Sequence, residues 1–457
     1  MSTDAINRIA RHVVTTDFAD LPRDALAAAK KFILDSIGVG LAGGSGPWVD
    51  QLIAAHQLSN TKNNGRVLGQ HIRLNHGAAA MCNAYQIHNA EFDCVHEEAV
   101  VHPLTVVLSA CLAEIDRVRG NNSISGEQLI RAITLGVDVA CHLGVASVSP
   151  LKFFRPGTCG AFGATASLAV LRGFDTDQLL NAFGMVHSQL CGTMQAHTEG
   201  SPLLAMQMGF NARNAMTACD LAGQGIPGTR NTLEGQFGFY ALFEGEHCLE
   251  SVMPQVGRVW RITEVAHKPY PSGRATHGII DACMKLRDRH FQSATSVHKL
   301  IARVPPLTNH LVGRPVNDEM DINYARLCAR FVAARVLIAG NVVTEDFSAV
   351  GRRDRETLEL AQRIEIEADS NPNPNALSPI KVVIENKDGS KAECEIKVIY
   401  GNPAKPMNRK DYLHKFRSNW KRAASPLSDS ACERVIEQIE ALPEITDCAT
   451  IIDDLVP

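Results

Sequence analysis

The run Leu26-Ala-Ala-Ala-Lys-Lys-Phe-Ile-Leu-Asp-Ser-Ile-Gly-Val-Gly-Leu-Ala-Gly-Gly44 decides the fold class of this chain. Apolar residues recur three and four apart at Leu26, Ala29, Phe32, Ile33, Ile37 and Leu41, and Gly43-Gly44 ends the pattern. That is the spacing of an amphipathic helix with a glycine stop. Working outward, the same reading predicts helices near 73–90, 104–117, 126–145, 160–172, 176–190 and 206–223. The first 265 residues therefore read as a helical block.

The pattern changes after Pro271. A helix at 275–288 precedes Lys299-Leu-Ile-Ala-Arg-Val, which alternates as a strand does, and a helix at 323–340 follows. Arg363-Ile-Glu-Ile-Glu alternates again, with Ile364 and Ile366 expected inward. Ser370-Asn-Pro-Asn-Pro-Asn reads as a loop. Lys381-Val-Val-Ile-Glu and Glu393-Cys-Glu-Ile-Lys-Val-Ile-Tyr flank the hairpin signal Asp388-Gly389. Helices return at 409–423 and 429–442. The expected architecture is mainly α: a large helical domain from 1–267 and 403–457, with a smaller α+β lid domain from 268–402. A helical tail after the mixed segment predicts that the tail packs back onto the first block.

Composition narrows the function classes. The 457 residues carry 45 Lys plus Arg against 49 Asp plus Glu, a net charge of −4. No basic field is available for nucleic acid or an anionic membrane surface. Thirteen scattered cysteines without a C-x-x-C pair read as buried thiols, not a disulfide framework. The N-terminal MSTDAINRIARHVV lacks the apolar core of a secretory signal, and no apolar run of about 18 residues occurs, so a cytoplasmic chain without a membrane span is expected. Gly157, Gly160 and Gly163 lack the spacing of a nucleotide loop and read as close helix packing. The Arg352–Glu359 charges read as a solvated helix face. The basic stretch Arg409, Lys410, Lys415, Arg417, Lys421 and Arg422, with Phe416 and Trp420, reads as a surface or dimer-contact helix.

One polar stretch breaks the apolar surroundings. His88-Asn-Ala-Glu-Phe-Asp-Cys-Val-His-Glu-Glu-Ala-Val-Val-His102 holds three histidines, four carboxylates and a cysteine, and Pro103 follows. Pro103 favours a loop leading into a helix N-terminus, whose free N–H groups attract anions. Histidine moves protons near neutral pH, and neighbouring carboxylates tune and orient it. Three readings stay open: a polar surface loop, a metal site, and an acid–base site. His96 and His102 lack the H-E-x-x-H spacing of a zinc protease. A second motif, His267-Lys-Pro-Tyr-Pro-Ser-Gly-Arg-Ala-Thr-His277, sits at the block boundary. Its Lys268, Arg274 and His277 suit a cleft for a small carboxylate, with a plain buried histidine as the alternative for His277.

Together these motifs resemble the MmgE/PrpD family, whose activities include 2-methylcitrate dehydration, cis-aconitate decarboxylation and iminodisuccinate epimerisation. The resemblance rests on Leu34-Asp-Ser-Ile-Gly-Val-Gly-Leu-Ala-Gly, Asn83-Ala-Tyr-Gln-Ile-His-Asn-Ala-Glu-Phe-Asp, His102-Pro103, Pro156-Gly-Thr-Cys-Gly-Ala-Phe-Gly-Ala, Leu233-Glu-Gly-Gln-Phe-Gly-Phe, and Lys268-Pro-Tyr-Pro with His277. It implies a helical domain with an α+β lid, a homodimer, a site in the interdomain cleft, and no metal or organic cofactor.

The family's H-x-x-D-F-D-D-T-H stands here as His88-Asn-Ala-Glu91-Phe-Asp93-Cys94-Val95-His96. Glu91 lengthens a carboxylate, while Cys94 and Val95 replace an acid and a threonine. His102 and His277 match active-site histidines. Arg155 stands where the family has a histidine, and Leu204 and Gln207 stand at the positions of a lysine and a histidine. Losing a charge-assisted contact of that kind costs ~2–5 kcal/mol, so efficient cis-aconitate decarboxylation is not expected.

The resemblance implies a cofactor-independent lyase of dehydratase type acting on a small di- or tricarboxylate. An epimerase using the same proton transfer, and a silent carboxylate-binding homologue, are the alternatives. The expected catalytic groups are His102 and His277, oriented by Glu91 and Asp93. Arg155 and Lys268 are the expected carboxylate anchors, with Arg274, His96 and Gln207 beside them. His197 and Glu199, in the altered segment after Gly192, are candidate replacements for the missing acid or base.

Overall fold

The computed structural model describes residues 4–57 and 64–457. The stretch read for a signal sequence begins outside them and continues as a helix, Ile6–Thr15, whose Ile6, Ile9, Ala10 and Val13 are buried. The long helices of the first block are Arg23–Gly43, His76–His88, Pro103–Val118, Gly126–Val145, Arg155–Arg172, Thr176–His187 and Leu203–Gly223. They enclose one apolar core, shared with Leu413, Phe416, Trp420, Val435, Ile436 and Ile439 of the returning helices Arg409–Trp420 and Asp429–Glu440.

Several helix starts follow local chemistry. Ser125 and Asp175 each close a reciprocal capping pair with the glutamine three residues on. Pro103 sits in the first turn of its helix, where a missing N–H costs nothing. The Gly126–Val145 helix has the length and apolarity to cross a membrane, but 83% of its apolar window is buried inside the protein.

The glycines of the 155–172 helix do what their spacing predicts. A Cβ on Gly163 would meet Gly136 O at 2.5 Å, and one on Gly160 would meet Val106 Cγ2 at 2.7 Å. Glycine there lets three helices close to backbone contact.

The mixed part carries a four-stranded sheet in the order Ile364–Ala368, Val297–Val304, Ile380–Asn386, Lys391–Ile396. The first pair is parallel and the others antiparallel, with Leu300 opposite both Ile364 and Ile384. Ile380, Val382 and Ile384 alternate inward, forming a second core with helices His277–His290 and Ala329–Ala339. Ile364 is buried as expected, and Ile366 is only half-buried.

Three local expectations differ from the structure. The helix expected over 323–340 is two, Ile322–Arg326 and Ala329–Ala339. At the break the Arg326 carbonyl accepts a hydrogen bond from Gly273 N–H at 3.0 Å, a tertiary contact that competes with helix continuation. The helix Val49–Gln57 lies outside the predicted helices.

The third concerns the basic C-terminal helix, which is not wholly a surface element. Phe416, Trp420 and Lys415 are buried. The Lys415 ammonium lies 2.7 Å from Asp35 and donates to Phe92 O at 2.9 Å. Gly38 gives Phe416 its place, since a Cβ there would lie 2.8 Å from the ring. Arg409 and Arg417 face outward and pair with Glu440 and Glu433.

Candidate active site

The polar stretch 88–103 forms the floor of the site. His88 ends one helix and His102 immediately precedes another. The connecting loop holds two non-glycine residues in left-handed backbone, Glu91 at φ 51° and Val100 at φ 54°. A branched residue such as Val100 adopts that region only when its surroundings force it, and such strain gathers at functional sites. The loop is tied down by a two-residue strand, Val95–His96, paired antiparallel to Val265–Ala266 just before the second motif. That pairing brings the two sequence motifs together.

Asp93, fully buried, is the centre of the cluster. Its Oδ2 accepts from His88 Nδ1 at 2.9 Å and Thr105 Oγ1 at 2.5 Å. His102 Nδ1 lies 3.1 Å from the same oxygen, off the line of a hydrogen bond. Lys268 Nζ lies 3.7 Å from Asp93 Oδ1 and donates to Glu91 Oε2 at 2.8 Å. His88 Nε2 lies 3.6 Å from Glu91 Oε1.

The charges sort themselves. Burial pushes the Asp93 carboxyl up, but His102, His88 and Lys268 outweigh it and hold it well below the usual range. Glu91 is likewise lowered to about 2 despite its burial, with Lys268 the strongest opposing influence. The two histidines separate. Burial lowers His88, but Asp93 and Glu91 reverse this and raise it, favouring the imidazolium. Burial lowers His102 and Asp93 does not fully compensate, favouring the neutral ring. Helix dipoles act the same way, because His88 sits at a C-terminus and His102 at an N-terminus. With Nδ1 of His102 turned to Asp93, Nε2 is the nitrogen left for the cavity that the ring lines.

That cavity measures about 70 Å³ and lies between the helical and mixed parts. Its polar wall is Glu91, Glu97, His102, His197 and Arg274, and Phe154, Met194 and Leu327 are part of its apolar wall. It is smaller than the ~300–1,000 Å³ of typical small-molecule pockets. A larger hollow of about 1,030 Å³ by Arg8, Arg11 and Glu234 touches neither of the two polar motifs, 88–103 and 267–277, although Glu234 belongs to the Leu233–Phe239 motif.

Not every expected residue reaches the cavity. His277 is buried with both ring nitrogens occupied: Arg274 Nη1 donates to Nδ1 at 3.2 Å, and Nε2 donates to Ser272 O at 3.2 Å. Burial, then Arg274 and Lys268, push its pKa well down. It is not part of the cavity wall. The imidazole that meets His102 is His88, with ring centroids 4.8 Å apart. His88 was the first residue of the quoted motif, and its spacing to Asp93 was the signal available for it.

Arg155 is also turned away from the expected anchoring role. It is fully buried and spends its donors on Glu244 (2.9 and 3.0 Å), Ser149 O and Asn375 Oδ1. Asn375 belongs to the mixed part, so Arg155 ties the two parts together. His96 bridges Glu264 Oε2 at 2.9 Å and the Ala99 N–H at 3.1 Å. Gln207 accepts from the Thr193 N–H at 2.7 Å. Glu199 is exposed and takes a hydrogen bond from Gln195. Arg274 does reach the wall, neutralised by Glu97 at 2.6 Å.

His88, Asp93 and His102 also place three candidate metal-ligand atoms within 4.8 Å of one another. The Lys268 ammonium beside Asp93 works against a divalent cation there, and Thr105 and His88 already occupy the oxygen it would use.

A mainly helical two-part protein with a buried histidine–carboxylate–lysine cluster at the junction is what the fold and site define. The MmgE/PrpD N-terminal domain matches residues 7–251 and the MmgE/PrpD C-terminal domain matches residues 270–441, and the chain belongs to this family. It is 26% identical over 444 residues to a cis-aconitate decarboxylase of Mus musculus, covering 93% of this chain and 87% of that one. It is 27% identical over 462 residues to a cis-aconitate decarboxylase of Aspergillus terreus, covering 95% and 92%. A cis-aconitate decarboxylase-like protein, oryM, of Aspergillus oryzae is 25% identical over 457 residues.

Proposed function

We propose that this chain is a lyase acting on a small carboxylic acid, with His102 as the proton-transfer group. The observation that carries the reading is the His102 ring on the cavity wall with its Nδ1 3.1 Å from buried Asp93, whose other oxygen lies 3.7 Å from Lys268; burial lowers the His102 pKa and so favours the neutral ring. A base of this kind removes a proton from the carbon beside a carboxylate, and charge then builds on that carboxylate as an enediolate. Arg274 on the wall and Lys268 behind it supply positive charge to that build-up, each partly offset by its carboxylate partner, Glu97 and Glu91. In a dehydratase-type reaction the proton taken by His102 passes to the departing β-hydroxyl, which leaves as water while the carbon–carbon double bond forms. Returning the proton to the opposite face of the same carbon would make the site an epimerase.

Decarboxylation is the second reading, favoured by the relatives named as cis-aconitate decarboxylases. Against it stands Leu204, buried and apolar where the family resemblance places a lysine. The experiment is to incubate the protein with a panel of di- and tricarboxylates in deuterium oxide. Deuterium uptake at the α-carbon with loss or gain of water supports the first reading. Release of CO₂ from cis-aconitate without prior exchange supports the second. Neither exchange nor turnover across the panel overturns both.

A further inference from the structure

His197, on the cavity wall, and Arg314, which touches it, form a pair that the mechanism above does not use. His197 comes from the short helix Gln195–Glu199 of the helical part and lines the cavity. Arg314 comes from the mixed part. Its Nη2 donates to His197 O at 3.1 Å and approaches His197 Nδ1 at 3.3 Å. A guanidinium can only donate, so Nδ1 accepts and Nε2 carries the hydrogen. His197 is thereby a fixed donor, with its pKa lowered to about 4 by burial and then by Arg314.

Arg314 differs from Lys268, Arg274 and Arg155. Lys268 is neutralised by Glu91, Arg274 by Glu97 and Arg155 by Glu244. Arg314 contacts only a carbonyl pair, the His197 ring and the face of Tyr324 at 4.8 Å, and its buried Nη1 has no hydrogen-bond partner among the described residues. Arg314 thus has an unmet donor at Nη1, fixes through Nη2 the tautomer of a histidine that lines the cavity, and has no carboxylate partner among the described residues.

We propose that His197, positioned and polarised by Arg314, is a second carboxylate anchor of this site. The reacting carboxylate lies beside His102 and a non-reacting one at His197. This rests on the carboxylate-lyase reading and assigns the residues that hold the non-reacting carboxylate. It also supplies a cationic element to the site that Leu204 does not. Because His197 and Arg314 belong to different parts of the molecule, a bound dicarboxylate would hold the cavity closed.

The test uses binding, which needs no turnover. Succinate and butyrate have the same chain length and differ by one carboxylate, and their dissociation constants are measured by titration calorimetry. Wild type is expected to prefer succinate. His197→Gln and Arg314→Gln are expected to weaken succinate by about 10–100-fold and leave butyrate unchanged, erasing the preference. Arg314→Lys, which keeps the charge without the fork, is expected to retain part of it. If Arg314→Gln melts below wild type without ligand, Arg314→Lys is read in its place, with an expected ~10-fold loss for succinate alone.

No succinate preference in wild type, or an unaltered preference in the variants, overturns the anchor and leaves the lyase reading standing. An Arg314-dependent preference in a protein that turns over no acid does the reverse.

Discussion

The rings of His88 and His102 meet edge to face with centroids 4.8 Å apart, on either side of a single carboxylate oxygen, Asp93 Oδ2. The shared oxygen cannot serve both rings equally. Burial lowers both rings, but at His88 Asp93 and Glu91 together reverse it and the pKa rises, whereas at His102 burial, with Lys268, outweighs Asp93 and the pKa falls. Two like groups with opposed protonation preferences are the arrangement that acid–base chemistry uses.

His102→Gln keeps a polar side chain of similar size but removes the base. The turnover number on the true substrate should fall by about 10²–10⁴-fold, with little change in melting temperature. Steady-state kinetics and a thermal melt check both. A variant with wild-type turnover removes His102 from the mechanism.

The pH dependence follows from the signs. His102 must be neutral to act, and its pKa is lowered from the ordinary 6.5, so the acid limb of kcat/KM should have its midpoint below pH 6.5. The stability contributions run in opposite senses. For His102, with its pKa depressed, the contribution is present above pH 6.5 and lost as pH falls through the folded value. For His88, with its pKa raised, it is complete below pH 6.5 and lost as pH rises through the folded value. Histidine titration by NMR should show two rings displaced to either side of the ordinary midpoint.

Asp93→Asn removes the charge that both imidazoles and Lys268 face. Breaking a buried ionic cluster from one side costs about 3–5 kcal/mol. Chemical denaturation should show a loss of that order. His88 should also lose its raised pKa. An unchanged His88 titration would place the source of the shift elsewhere.

Arg155 offers a sharp contrast between anchor and tie. If it binds substrate, Arg155→Met raises KM and leaves stability alone. The structure predicts the other result: a loss of about 3–5 kcal/mol, because Glu244 is left buried and alone. The double variant Arg155→Met/Glu244→Leu should recover most of it, since removing both partners spares the unpaired charge. Denaturation curves of the three proteins decide between these.

Dialysis against a chelator is expected to leave turnover unchanged, because Lys268 competes for the site that His88, Asp93 and His102 outline. Loss of activity restored by one divalent metal would reverse that assignment.

The helical order, the mixed sheet after Pro271 and the importance of the 88–103 stretch were legible along the chain. Each is a local property. Helical and strand periods are written in neighbouring residues, and the polar stretch departs from an apolar background within a single loop. His88, Asp93 and His102 all lie within that one stretch, yet in sequence His102 pairs with His277 and His88 is passed over, because only folding of the loop brings the two helix ends together around Asp93.

Which cations remain free was not legible. Glu244 lies 89 residues from Arg155, Glu97 lies 177 from Arg274, and Glu91 lies 177 from Lys268. In sequence all three bases look equally fit to hold a substrate carboxylate, and Arg314 attracts no notice. Likewise nothing beside His277 announces that Arg274 and Ser272 O consume both of its nitrogens. A side chain's charge is set by its type, but whether that charge is already spent depends on partners brought up by folding from far along the chain.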